Sequence, residues 1–167
     1  MDDFIPVNVP LLNGNEKKYL NECIDSGWIS SEGPFVKKFE DEFVKLVNKK
    51  YAISVTSGSS ALEASISALD LKEGDEVILP TFTIISCVTP LIRLRIVPVF
   101  IDSNVDTWNM DVSQIEDKMT SKTKVIMAVH IFGLPVNMDP LIKLAEEYGL
   151  LIIEDAAQAI GLEYKGR

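Results

Sequence analysis

Histidine and cysteine are nearly missing from this 167-residue chain, which has one of the first and two of the second. A single imidazole, His130, excludes a metal centre built on several histidines. Cys23 and Cys87 lie far apart and form no CxxC pair, which argues against a disulfide framework and for a reducing compartment. Positive charge is also short: 16 Lys and Arg stand against 25 Asp and Glu, for a formal net charge of -9. Non-specific binding to nucleic acid or to an anionic membrane is therefore disfavoured. No apolar run reaches the roughly 18 residues of a membrane-spanning helix. The opening MDDFIPV is acidic where a secretory signal is basic and then apolar, so no signal peptide is expected. Neither GxGxxG nor GxxxxGK[ST] occurs, which removes the dinucleotide fingerprint and the P-loop. Repeats and low-complexity tracts are absent as well. With 47% hydrophobic and 25% charged residues, the expectation is a globular, cytoplasmic domain that handles small molecules.

What is present alternates between two periods. NGNEKKYLNECIDSG places Tyr19, Leu20, Cys23 and Ile24 at helical spacing and stops at Gly27. GPFVKKFEDEFVKLVNKK repeats apolar residues on one face, with Pro34 in the first turn. YAISVTS is a short β-branched run and is expected as the first strand; SSALEASISALD follows as a small-residue helix, expected to be buried. DEVILP, VPVFID, KTKVIMAVH and LLIIED read as further strands. Between them lie DVSQIEDKM, a short helix capped by Asp111, and DPLIKLAEEYGL, a helix expected to be capped by Asp139, with Pro140 first and Gly149 at its end. Near-continuous apolar strands alternating with helices predict an α/β domain, a mostly parallel sheet with helices on both faces. Ligands of such sheets sit beyond the carboxyl ends of the strands.

Several of those ends carry chemistry. In VTSGSSAL the chain turns through Gly58 into a helix. Its first N–H groups lack helical partners and the dipole is positive there, so Ser57, Gly58 and Ser59 read either as a phosphate cradle or as a plain serine N-cap. LIIEDAAQAIG, residues 151–161, runs a greasy strand straight into two acids. Burying an unpaired carboxylate is costly, so Asp155 either emerges into water or faces a cation. An aspartate opposite a pyridinium nitrogen is one recognised way a protein tunes pyridoxal phosphate. At about 4 Å such a pair is worth ~4 kcal/mol at an effective dielectric of about 20. His130 reads either as a hydrogen-bond donor to this rim or as a satisfied histidine within it.

EVILPTFT, VIMAVHIFG, NMDP and IIEDAAQAIGLEYKGR, in this order, resemble the DegT/DnrJ family of sugar-nucleotide aminotransferases. The opening, IPVNVPLLNGNEKKYLNECIDSGWISSEGPFVKKFEDEF, is similar to the start of the GDP-perosamine synthases in that family. The resemblance spans essentially the whole chain. It implies a three-layer α/β/α fold, with residues 1–167 as the N-terminal part of a fold-type-I large domain and the C-terminal small domain absent. It implies pyridoxal 5'-phosphate as cofactor, a nucleotide-linked 4-keto-6-deoxy sugar as substrate, glutamate as amine donor, and a homodimer. Asp155 would pair with the pyridine nitrogen, and Gln158 would lie beside the phenolic oxygen. Gly58 and Ser59, with Ser57 beside them, would hold the phosphate. Ile84 stands where the family places a ring-stacking aromatic (PTFTF there, PTFTI here), and Trp28 falls in a loop that lies near the site in relatives. The Schiff-base lysine belongs to a stretch beyond Arg167, and Lys165 is not a candidate for it. The chain alone is thus expected not to transaminate. A non-catalytic binding or assembly module of the same fold is the alternative, and the choice between amination at C3 and C4 stays open.

Overall fold

The structure is a computed structural model that describes residues 4–6 and 8–166. It divides into two compact units, one ending at Ser54 and one beginning at Val55.

The first unit holds two helices, α1 (Glu16–Ser26) and α2 (Pro34–Leu46). As the spacing predicts, α1 stops at Gly27, which takes the left-handed conformation at φ 73°. Pro34 is the first residue of α2, where its missing N–H costs nothing. Tyr19 and Phe35 bring their rings to 5.3 Å, and the Glu40 carboxylate accepts from both the N–H and the hydroxyl of Ser54. Trp28 is half exposed.

The second unit is built on a sheet of β1 (Glu76–Pro80), β2 (Val97–Ile101), β3 (Thr123–Val129) and β4 (Leu151–Asp155). The order is β2-β1-β3-β4 and every pairing is parallel. Alternation along the strands sorts side chains to two faces. Val77, Leu79, Val125, Met127, Val129 and Ile153 pack with Leu62 and Ile66 of α3 (Gly58–Ser67) and Leu91 of α4 (Thr89–Arg93). Ile78, Ile101, Ile126 and Ala128 pack with Ile115 of α5 (Ile115–Lys118) and with Leu141 and Ala145 of α6 (Met138–Tyr148). Helices on both faces make the expected three layers, and two-sided cover explains why β1 and β3 are so uniformly apolar.

Four local expectations need correction. Residues 51–57 form no strand. β-branched residues favour a pleated, partnered surface, and this run has no ladder; Ile53 remains 83% exposed. The helix α3 is not buried all round but inserts only Leu62 and Ile66. The cap of α6 is Asn137, not Asp139, so Pro140 is the third helical residue, a position whose N–H is still free of helical bonding. Finally, a 3₁₀ turn (Ile85–Cys87) and α4 follow β1 where no element was expected. Asp111 does cap its segment, accepting from the Ser113 N–H, and Gly149 does end α6, at φ 65°.

His130 follows β3 and is buried. Its Nδ1 accepts the Val136 N–H at 3.1 Å, so the neutral ring carries its proton on Nε2, which lies 3.3 Å from Glu154 Oε2. By alternation this ring shares the face of α5 and α6. It is a satisfied histidine that secures the chain after β3. Two outcomes follow. His130→Phe leaves the buried Val136 N–H without an acceptor and should destabilise the fold by about 2 kcal/mol, read as a lower urea midpoint at unchanged slope. Gly149→Ala meets no atom within 4 Å but must hold a positive φ, so it should cost about 1 kcal/mol by the same measurement.

Candidate active site

Parallel strands deliver their carboxyl ends to one rim. Asp155 ends β4 in register with Val129 of β3, and the His130 N–H extends the ladder to the Asp155 carbonyl at 3.1 Å. The two acids that close this strand part company. Glu154 turns to the α5/α6 side, toward His130. Asp155 turns to the α3/α4 side, where it is half-buried. Its Oδ1 accepts the Ala157 N–H at 3.1 Å, and its Oδ2 lies 3.4 Å from Cys87 Sγ. Among the described residues no lysine or arginine is ion-paired with it. The carboxylate is held by two donors of its own fold and keeps lone-pair directions to spare.

The same face carries the start of α3. Ser57 is the N-cap, with extended backbone, and its Oγ accepts the Ser60 N–H at 3.2 Å. The N–H groups of Gly58 and Ser59 find no acceptor among the described residues. A Cβ placed on Gly58 would meet nothing within 4 Å. The serine cap and the anion cradle are thus compatible: the cap satisfies one orphan donor and leaves two, at the positive end of the helix dipole.

The 3₁₀ turn after β1 joins these two places. Ser86 Oγ sits 2.7 Å from Ser59 Oγ, and Cys87, the next residue, reaches Asp155. Ile84 leads into this turn with its side chain 62% exposed, free to cover a planar ligand. Gln158, three residues after Asp155, is exposed; its Oε1 accepts the Phe132 N–H at 2.7 Å, which leaves its NH₂ as a donor. The structure therefore links Ser59 and Asp155 through the turn that Ile84 leads into, while Gln158 is tied to the β3 loop instead.

Sequence reasoning passed over Thr83, Ser86 and Cys87. Their signal was a hydroxyl, a hydroxyl and a thiol spaced i, i+3, i+4 just past a strand end. Burial pushes the Cys87 thiol up to about 11; the Asp155 charge also raises it, while the Thr83 hydroxyl bond works against both. Lys165 is paired with Asp139 in the first turn of α6. A cavity of about 610 Å³ opens elsewhere, lined by Asn109, Asp111, Glu116, Leu144 and Tyr164 among others, and none of the predicted site residues borders it. No group of three metal-ligating side chains occurs among the described residues, and no helix there is long and apolar enough to cross a membrane. The rim can hold an anion at one end and a cation at the other, with an apolar side chain between.

Comparison with known proteins identifies the family of the chain. A GDP-perosamine synthase of Escherichia coli O157:H7 is 47% identical over 164 residues, covering 98% of this chain and 45% of the relative. The chain thus spans a little under half the length of that relative. A solved structure of NtdA from Bacillus subtilis with bound cofactor PMP superposes with a TM-score of 0.85 at 31% identity, covering 98% of this chain and 40% of that one. A GDP-4-keto-6-deoxymannose-3-dehydratase with a trapped PLP-glutamate geminal diamine gives a TM-score of 0.91 at 29% identity, covering 97% and 43%. Residues 10–167 match the DegT/DnrJ/EryC1/StrS aminotransferase family, and the chain belongs to that family.

Proposed function

We propose that this chain is the cofactor-binding part of a pyridoxal phosphate-dependent aminotransferase. Its substrate is a nucleotide-linked 4-keto-6-deoxy sugar, its amine donor is glutamate, and it works as a homodimer. The observation that carries the reading is Asp155: half-buried, on the face of α3, ion-paired with no lysine or arginine among the described residues, and connected through one turn to a helix start whose Gly58 and Ser59 N–H groups find no acceptor among those residues. The similarity to GDP-perosamine synthases supports the sugar and its amination at C4.

The residues fit the cofactor by their donor chemistry. The N–H groups of Gly58 and Ser59 and the hydroxyls of Ser57 and Ser59 suit a phosphate dianion. Asp155 suits a protonated ring nitrogen and keeps that proton in place. The Gln158 NH₂ can donate to the phenolic oxygen, and Ile84 can cover one ring face and shed water from it. When bound, the cofactor supplies the electron sink for the carbon that gains or loses the amino group. This chain's own part is to bind, orient and hold charge. None of these site residues is a lysine, so what they offer the cofactor is non-covalent. Lys165, engaged with Asp139, takes no part in the scheme.

Pyridoxamine phosphate, which needs no attachment, is the direct probe. The chain should bind it, and Asp155→Asn should weaken binding about tenfold or more, a loss of ~1.4 kcal/mol or more by titration calorimetry. Pyridoxamine without its phosphate should bind far more weakly. Equal affinity of wild type and Asp155→Asn would sink the reading. In a chain continued to the full length of its relatives, glutamate should convert the keto-sugar nucleotide to its amino product, observed by mass spectrometry.

A further inference from the structure

Cys87 has a role that the proposed function leaves unassigned. The side chain is fully buried among Leu62, Leu91 and the first-face strand residues, yet its sulfur touches two polar groups. Thr83 Oγ1 donates to Sγ at 3.1 Å, and Sγ lies 3.4 Å from Asp155 Oδ2. A carboxylate can only accept, so the thiol is the donor in the second contact. Burial and the neighbouring anion both hold the thiol in its protonated form. The proton order is therefore Thr83 to Cys87 to Asp155. With Ala157 N–H on Oδ1, each carboxylate oxygen has one fixed donor. The plane of the carboxylate is then set before any ligand arrives, and each oxygen keeps lone-pair directions to spare.

We infer that Cys87 is a positioning residue for Asp155: its thiol orients the carboxylate toward the cofactor ring nitrogen, while Ser86 beside it ties the same turn to the phosphate cradle. The inference rests on the pyridoxal phosphate reading above. It makes the turn Ile85–Cys87 a spacer between the two charged ends of the site. Because the turn continues into the core through Leu91 of α4, the spacing is set by packed apolar side chains and not by the exposed serines alone.

Two measurements on the 167-residue chain test it. The first needs no cofactor. In a Cys23→Ser background, the infrared S–H stretch belongs to Cys87 alone. Adding Asp155→Ala should move it to higher wavenumber as the acceptor is lost, whereas an unmoved band overturns the thiol–carboxylate bond. The second compares pyridoxamine phosphate with an analogue whose ring nitrogen is replaced by C–H. Cys87→Ala should weaken pyridoxamine phosphate by about three- to tenfold, the range for one modest hydrogen bond, and leave the analogue unchanged. Cys87→Ser, which restores a donor, should recover most of the loss. If Cys87→Ala weakens both compounds alike, the residue only packs, and the inference fails while the cofactor reading stands. If wild type itself binds both compounds equally, the pyridinium reading fails, and this inference falls with it.

Discussion

Parallel pairing of β1, β3 and β4 is the constraint on which everything else depends. It sends three strand ends to one rim, and its two-residue period decides what each end presents there. One step along β4 separates Glu154 from Asp155, and that step puts them on opposite sides of the sheet. Glu154 joins His130 and the α5/α6 layer; Asp155 joins Cys87 and the α3/α4 layer. A slip of a single residue would exchange their roles. The apolar residues of β4 oppose it, because such a slip would carry the buried Ile153 out of the α3/α4 layer.

An acid at the end of a buried strand costs free energy unless its charge is answered. Here the answer is partial. Two donors from the fold hold the carboxylate in place, and no lysine or arginine among the described residues is ion-paired with it. The opposite arrangement holds at α3, where the Gly58 and Ser59 N–H groups find no acceptor among the described residues. Both ends are therefore ready for a ligand of complementary charge at each terminus. Their separation is governed by the short turn after β1, whose two consecutive polar residues touch one end each.

Much of this was legible in the chain. The apolar runs of β1, β3 and β4, the stops of α1 and α6 and the Pro34 start of α2 come from local rules that operate within a few residues: period, Pro at a first turn, Gly at a left-handed end. Ser57, Gly58, Ser59 and Asp155 stand out for the same reason, since a helix start and a charged strand end announce themselves locally. Residues 51–57 were misread because a strand is a relation between two segments, and β-branched composition speaks for only one of them. The cap of α6 was misplaced because Asn137 and Asp139 are equally good capping types, and only the path of the chain chooses between them.

The sequence by itself determined the layered parallel architecture, the family, and the pair of charged termini, because each follows from short-range pattern and residue type. Only the tertiary structure decided which acid of β4 faces the α3 layer, that His130 lies on the other side, and that Thr83, Ser86 and Cys87 stand between the cradle and Asp155. Those are matters of which face a residue reaches and what meets it there, across separations of 27 residues for Ser59 and Ser86 and 68 for Cys87 and Asp155. No local rule spans such distances; packing does.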